Sequence, residues 1–189
     1  NGDTILFYIP QVLNVPADYT TIQAALTAAT ATDTVLVQPG TYTENIVWPE
    51  TNGIKLISAG DSSNTIIDGG GVSSVIYMNP QSATIDTTTL IQGFKITNGG
   101  NVSNGGGIFI SNASPLIKII SIINNTASNS GGGIYMMNNS NPIISDVSVS
   151  NNHGTFRGGG MYLNDSNPAM TFVSLRKING RYCIRIGEK

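Results

Sequence analysis

At 189 residues, with a formal net charge of −2 and 11% charged residues, the chain is long enough for one buried domain and nothing in it forces a second. No basic stripe tracks phosphates through its body, which argues against nucleic-acid binding, and its apolar runs are too short and too polar to span a bilayer as a helix. One cysteine, Cys183, and one histidine, His153, exclude an internal disulfide framework, a cysteine zinc site and a multi-histidine metal site.

The chain opens at Asn1, which is not a natural start residue, so a leader is expected to have been removed or to lie outside this sequence. Its low charge and richness in Gly, Asn, Ser and Thr suit a secreted or cell-surface protein. Residues 1–33 read as an N-terminal strand and a helical cap. In "YTTIQAALTAAT", Ile22, Ala25, Leu26 and Ala29 have helical spacing, and Thr20 with Gln23 forms a T-x-x-Q capping box. The predicted helix, roughly 21–30, covers the open end of whatever follows, because a stack of coils exposes apolar interior at its ends.

Short β bursts come next, at 34–38, 45–48, 54–58, 65–68, 75–78 and 90–97, separated by Gly, Asn, Ser and Pro. They are too brief for helices and too frequent for βαβ units. From residue 104 the bursts become a repeat. Glycine triplets begin at Gly105, Gly131 and Gly158, 26 and 27 residues apart. Ser114-Pro115, Asn141-Pro142 and Asn167-Pro168 move with them, as do Ile96, Ile122 and Val149. A unit of this length, made of short strands and tight turns, fits one coil of a parallel β-helix in which each strand pairs with its equivalent one coil on. The expected architecture is therefore all-β: a single-stranded right-handed parallel β-helix over residues 34–175, forming with its cap one domain over 1–189. Asn98, Asn124 and Asn151 are expected to stack as an amide ladder at a turn.

The tail, 176–189, breaks the pattern and carries five of the nine cations. Either "RYCIRI" folds back as a final strand or the last coil stays open. An open edge invites a second chain, so a homodimer through the C-terminal coil is expected.

The residues "VPADYTTIQAALTAATATDTVLVQPGTYTENIVW" and "IKLISAGDSSNTIIDGGG" resemble the start of the pectin-lyase-like superfamily of right-handed parallel β-helices, in which pectin methylesterases have a similar opening that forms the N-terminal cap and first coil. The "GGGIY…SNP…SNN" units are similar to repeats of bacterial surface β-helix proteins. The resemblance covers about residues 13–175 and implies a fold rather than one activity, since the superfamily holds lyases, hydrolases, esterases, epimerases and adhesins. The catalytic glutamine and aspartate segments of the esterases are missing after "GFKITNGG", and no Asp-Asp or Asn-Thr-Asp set of the polygalacturonases occurs. A G-G-x-G-x-D calcium repeat is absent too.

Asp61, Asp68, Asp86, Asp146 and Asp165 read as turn-forming carboxylates, with no two in phase one coil apart. Lys95 and Lys118 are bases by type only. His153 and Arg157, in phase with Thr126 and Ser130, are the weak catalytic candidates, a possible base and cation in the loop before the third triplet. Phe109, Tyr135 and Tyr162 share one repeat position between aliphatic pairs, so strand alternation turns them outward as a ladder. Such a ladder either binds sugar or packs on itself. Two functions stay open: a non-catalytic extracellular module binding polysaccharide or a surface protein, without cofactor, or a polysaccharide lyase or hydrolase whose site is built across coils. Calcium enters only under the lyase reading.

Overall fold

A computed structural model describes residues 8–176 and 184–186. The chain begins with β1 (Val12–Val15) and α1 (Ile22–Ala28), then winds a first coil of β2 (Thr34–Val37), β3 (Gly40–Thr43) and β4 (Ile46–Val47). The second coil holds β5 (Lys55–Ser58), β6 (Thr65–Asp68) and β7 (Ile76–Met78), and the third β8 (Leu90–Gln92), β9 (Lys95–Thr97) and β10 (Ile108–Ser111). In the fourth, β11 (Leu116–Ile123), β12 (Thr126–Ala127) and β13 (Ile134–Met137) follow one another. The fifth repeats that plan with β14 (Ile143–Ser150), β15 (His153–Gly154) and β16 (Met161–Leu163), and β17 (Ala169–Thr171), β18 (Ser174–Leu175) and β19 (Ile184–Ile186) complete a sixth.

Every pairing between these strands is parallel and joins equivalent positions of successive coils. The core is built of inward columns, of which three run along its three faces. Leu13, Val35, Leu56, Ile91, Ile117 and Ile144 form one, and Ile67, Ile96, Ile122 and Val149 a second. Ile46, Ile76, Ile108, Ile134 and Met161 form the third, on a sheet six strands deep. All of these side chains are buried, each worth roughly 1.5–3 kcal/mol over exposure. β-Branched residues dominate because they fit a pleated surface packed on one face.

The run 90–97 is two strands rather than one, because Gly93 bends it at φ 87°. In later coils Ile119, Asp146 and Phe172 hold that corner at φ 56°, 55° and 51°. The glycine triplet makes the next corner. Gly131 takes φ 63°, and a Cβ on Gly132 would sit on the backbone of His153 one coil on, so the coils meet there backbone to backbone.

The amide ladder exists, one residue beyond its expected place. Asn98, Asn124 and Asn151 are exposed turn residues with φ 57°, 58° and 53°. The stacking amides are the buried Asn125 and Asn152. Asn125 Nδ2 donates to Asn152 Oδ1 at 2.9 Å and to the carbonyls of Ile96 and Ile123, while its Oδ1 accepts the Gly99 N–H at 2.9 Å. Left-handed geometry turns the first Asn outward and the following side chain into the stack, where buried backbone groups need partners.

The cap also differs in detail. The helix spans Ile22–Ala28, shorter than 21–30, and its N-cap is Thr21, whose hydroxyl accepts from Ala24 N–H. Glu44 of the first coil takes the N–H groups of Ile22 and Gln23, each at 2.9 Å. The Gln23 side chain is thereby left to bond elsewhere. Its amide accepts from Val47 N–H at 2.7 Å and donates to Val47 C=O at 3.1 Å, closing the edge of β4 as a neighbouring strand would. Ile22, Ala25 and Leu26 seal the apolar interior beneath.

At the other end, β19 pairs with β16, Met161 opposite Ile184. Of the tail, Ile184–Ile186 forms a final strand, so the segment 176–189 is not irregular throughout. Cys183 and the other residues of 177–183 and 187–189 lie outside the described residues, as does Asn1.

Candidate functional site

Strand alternation in the third stack turns Tyr77, Phe109, Tyr135 and Tyr162 outward in register. Their centroids are 4.9, 5.5 and 5.5 Å apart with interplanar angles of 13°, 10° and 18°. The ring faces are therefore turned to one another, and what the ladder offers to the outside is ring edges, chiefly at Tyr77. Exposure falls along it, from 36% at Tyr77 to 9% at Tyr135 and 4% at Tyr162. Burial is the main reason the Tyr135 hydroxyl is pushed above the usual tyrosine range; nearby Tyr162 adds to this and the Arg157 charge opposes it. Tyr77 belongs to the ladder although the regular repeat starts only later. Its signal was in the chain: Ile76-Tyr77-Met78 spells the same triplet as Ile134-Tyr135-Met136.

His153 and Arg157 fall in phase with Thr126 and Ser130, as their spacing implied. Their side chains do different things. Arg157 Nη1 donates to the Tyr162 hydroxyl at 3.1 Å, with its guanidinium carbon 6.0 Å from the ring centroid, so it closes over the end of the ladder. His153 lies in β15, which pairs with β12 in a small two-stranded sheet at the turn. Residues 101–103 and 126–128, with His153 and Thr155, line an open cleft of about 340 Å³. Equivalent turn positions of three successive coils thus present a row of short hydroxyl, amide and methyl groups with one imidazole at its end.

The turn backbone joins cleft and ladder. A Cβ on Gly131 would meet the Tyr135 Cβ at 2.9 Å, so the turns that form the cleft also flank the aromatic column.

The carboxylates are held in turns and caps. Asp61 accepts from Ser63, Asp86 from Thr88, and Asp68 from Gly70 N–H and Asn98 Nδ2. Asp146 and Asp165 sit at positive-φ corners. Two acids are strongly shifted. Burial would raise Asp33, but hydrogen bonds from Tyr8, from the Gln11 and Thr30 N–H groups and from the Thr30 hydroxyl hold it at about 2. Glu50 is lowered to about 2 by the backbone N–H groups of Gln81, Ala83 and Ser82. Both pin chain segments together. Lys95 and Lys118 stand on outward strand positions beside Ser121 and Ser145. Among the described residues no three His, Cys, Asp or Glu side chains gather as a metal site.

No protein-family model and no curated protein matches the chain. Among solved structures, the pectin methylesterase from Erwinia chrysanthemi superposes with a TM-score of 0.51 at 11% identity, over 86% of this chain and 62% of that one. A pectin methylesterase in complex with a hexasaccharide gives the same score and identity over 88% of this chain and 67% of that one. This chain spans less than two thirds of the Erwinia enzyme's length. The similarity establishes the architecture: a right-handed parallel β-helix, closed at its N-terminal end by one short helix.

Proposed function

We propose that this chain is a non-catalytic, extracellular β-helix module of a secreted or surface protein, and that it holds polysaccharide in the cleft beside its aromatic ladder. The observation that carries the reading is the cleft itself. Turns of three coils line it: Thr126 and His153 stand in register one coil apart, about 4.8 Å, and Ser103 and Ser128 add hydroxyls beside the methyl of Ala127. A row of short donors and acceptors on an open surface suits a chain of hydroxylated rings, which exchanges hydration for many modest hydrogen bonds. That structurally similar esterases have been seen with bound hexasaccharides supports the ligand class.

The test is affinity electrophoresis through gels containing neutral and acidic polysaccharides. Retardation by at least one is expected, and Ser128→Trp, which fills the cleft from an exposed position, abolishes it while the circular dichroism stays unchanged. Equal retardation of Ser128→Trp and the unaltered chain removes the cleft from the reading. The second reading, a polysaccharide-active enzyme, is favoured by His153 standing in that same cleft. It predicts unsaturated product from pectate or alginate, with or without calcium, or hydrolysis that His153→Ala suppresses.

A further inference from the structure

The turn cleft is polar without being charged. It offers serine and threonine hydroxyls, the Asn101 side chain and the His153 imidazole, and among the described residues no Asp, Glu, Lys or Arg lines it. The cation nearest to it in the chain, Arg157, is engaged elsewhere. Its Nη1 donates to the Tyr162 hydroxyl at 3.1 Å, with the guanidinium carbon 6.0 Å from that ring's centroid. A carboxylate entering such a cleft would lose water and meet no opposite charge, which is a net cost. A sugar ring that carries only hydroxyls escapes that cost, because each hydroxyl exchanges a water for a serine, threonine or amide partner.

An exposed aromatic ring stands beside this lining. Phe156 directly follows Thr155, a residue of the cleft, and is 72% exposed. Asn104 bridges to Ser130, and Ser130 to Arg157. One residue earlier, Ser103, Asn129 and Phe156 therefore occupy matching positions of three successive coils. The ring thus holds the place from which Ser103 lines the cleft two coils before, about 10 Å away. The backbone under it is fixed, since the Thr155 and Phe156 N–H groups donate to the carbonyls of Ala127 and Asn129 at 3.2 and 2.9 Å. A phenylalanine anchored in this way keeps two free torsions and has no polar atom, so covering its face gains apolar burial at small entropic cost. Where the earlier coils have a serine and an asparagine, this one sets a flat apolar face next to the hydroxyls.

We infer that the cleft takes a neutral polysaccharide and that Phe156 is its stacking platform. The ring covers the C–H face of one sugar while Ser103, Thr126 and Ser128 bond hydroxyls of the sugars beside it. This rests on the proposed reading of the cleft as a polysaccharide site, and adds the class of polymer and the residue that grips it. A sugar ring suits both halves of the arrangement, because its hydroxyls leave from the rim and its axial C–H groups form an apolar face. Polymers of uronic acids share that face, so it is the missing cation in the lining, not the stacking, that selects against them.

Affinity electrophoresis of the unaltered chain, Phe156→Ala and Phe156→Trp tests this. The gels contain cellulose-, mannan-, xylan- and galactan-type neutral polymers or, separately, pectate and alginate. At least one neutral polymer is expected to retard the unaltered chain, and neither acidic one to do so. Phe156→Ala is expected to raise the Kd for that neutral polymer roughly fivefold or more, through loss of the buried ring face. Phe156→Trp, which keeps a flat apolar face, is expected to hold the affinity. Position 156 is exposed, so both variants keep the fold, checked by circular dichroism. Retention by pectate or alginate as strong as by any neutral polymer overturns the inference and leaves the polysaccharide reading standing. Full retention of Phe156→Ala does the same, as does an equal loss in Phe156→Trp. Retardation by none of the polymers overturns both.

Discussion

Ile119 is a β-branched residue held at φ 56°, a conformation that costs an L-residue roughly 1–2 kcal/mol. The corner demands it, because one left-handed residue turns β11 from the first sheet face to the second. Equivalent coils use Gly93 and Asp146 there. Ile119 is 45% exposed, so little packing offsets the strain. Ile119→Asn is expected to raise stability by about 1 kcal/mol, measured as the shift in the urea midpoint at constant slope. Asp33 gives a second prediction at this scale. Its folded pKa, about 2, lies below its ordinary 3.8. The carboxylate therefore contributes stability that is fully present above pH 4 or so and lost as pH falls toward 2. Glu50, also held at about 2 by three backbone N–H groups, titrates in the same acid range. Thermal melts from pH 5 to 2 should show this loss, and Asp33→Asn should flatten it while lowering stability at neutral pH.

Elements in this fold are coils, and a coil is held by what it exchanges with its two neighbours. Asn125 shows how concentrated that exchange is. Its buried amide serves Gly99 before it and Asn152 after it, as well as the carbonyls of Ile96 and Ile123. Asn125→Ala strands several buried donors and acceptors at once, and at roughly 1–3 kcal/mol for each unsatisfied group the expected loss is about 3 kcal/mol by denaturant unfolding. The aromatic ladder acts on the opposite side of the wall, where Tyr77, Phe109, Tyr135 and Tyr162 tie four consecutive coils through ring faces. This arrangement explains why the column is continuous. The helix α1 is the third kind of element. It closes the stack with Ile22, Ala25 and Leu26, takes its own missing partner from Glu44 and lends Gln23 to the sheet.

For the whole molecule, the two ends are unequal. The N-terminal end is sealed by a helix, a side-chain mimic of a strand and the Asn14–Asp18 turn, whereas Met170 and Phe172 stand exposed at the other. Solenoid stability is close to a sum over coils and their interfaces, so opening should begin at β17 and β18, which pair with β14 alone among the described strands. Native-state hydrogen exchange is expected to rank amide protection from low in β17 and β18 to high in β9 and β11, with α1 nearer the second group. Equal protection at both ends would show that the helix contributes nothing as a cap.

Residue identity alone determined the repeat and therefore the fold: period-two alternation and landmarks moving by 26 and 27 residues leave a stacked parallel coil as the arrangement that buries every aliphatic column. It also placed His153 over Thr126 and the aromatics over one another, because register in a solenoid follows from the repeat. Only the tertiary structure decided which way near-equivalent neighbours point. Two adjacent asparagines are indistinguishable in the sequence until the backbone gives the first a positive φ and sends the second inward. Gln23 had the right spacing for a capping box, yet Glu44, distant in sequence, reached the helix first. The ladder's rings were predictable as a column, but ring planes lie face to face or face outward according to packing that no spacing encodes. The cleft beside them arises from three turns meeting across coils, so it has no signature in any one of them.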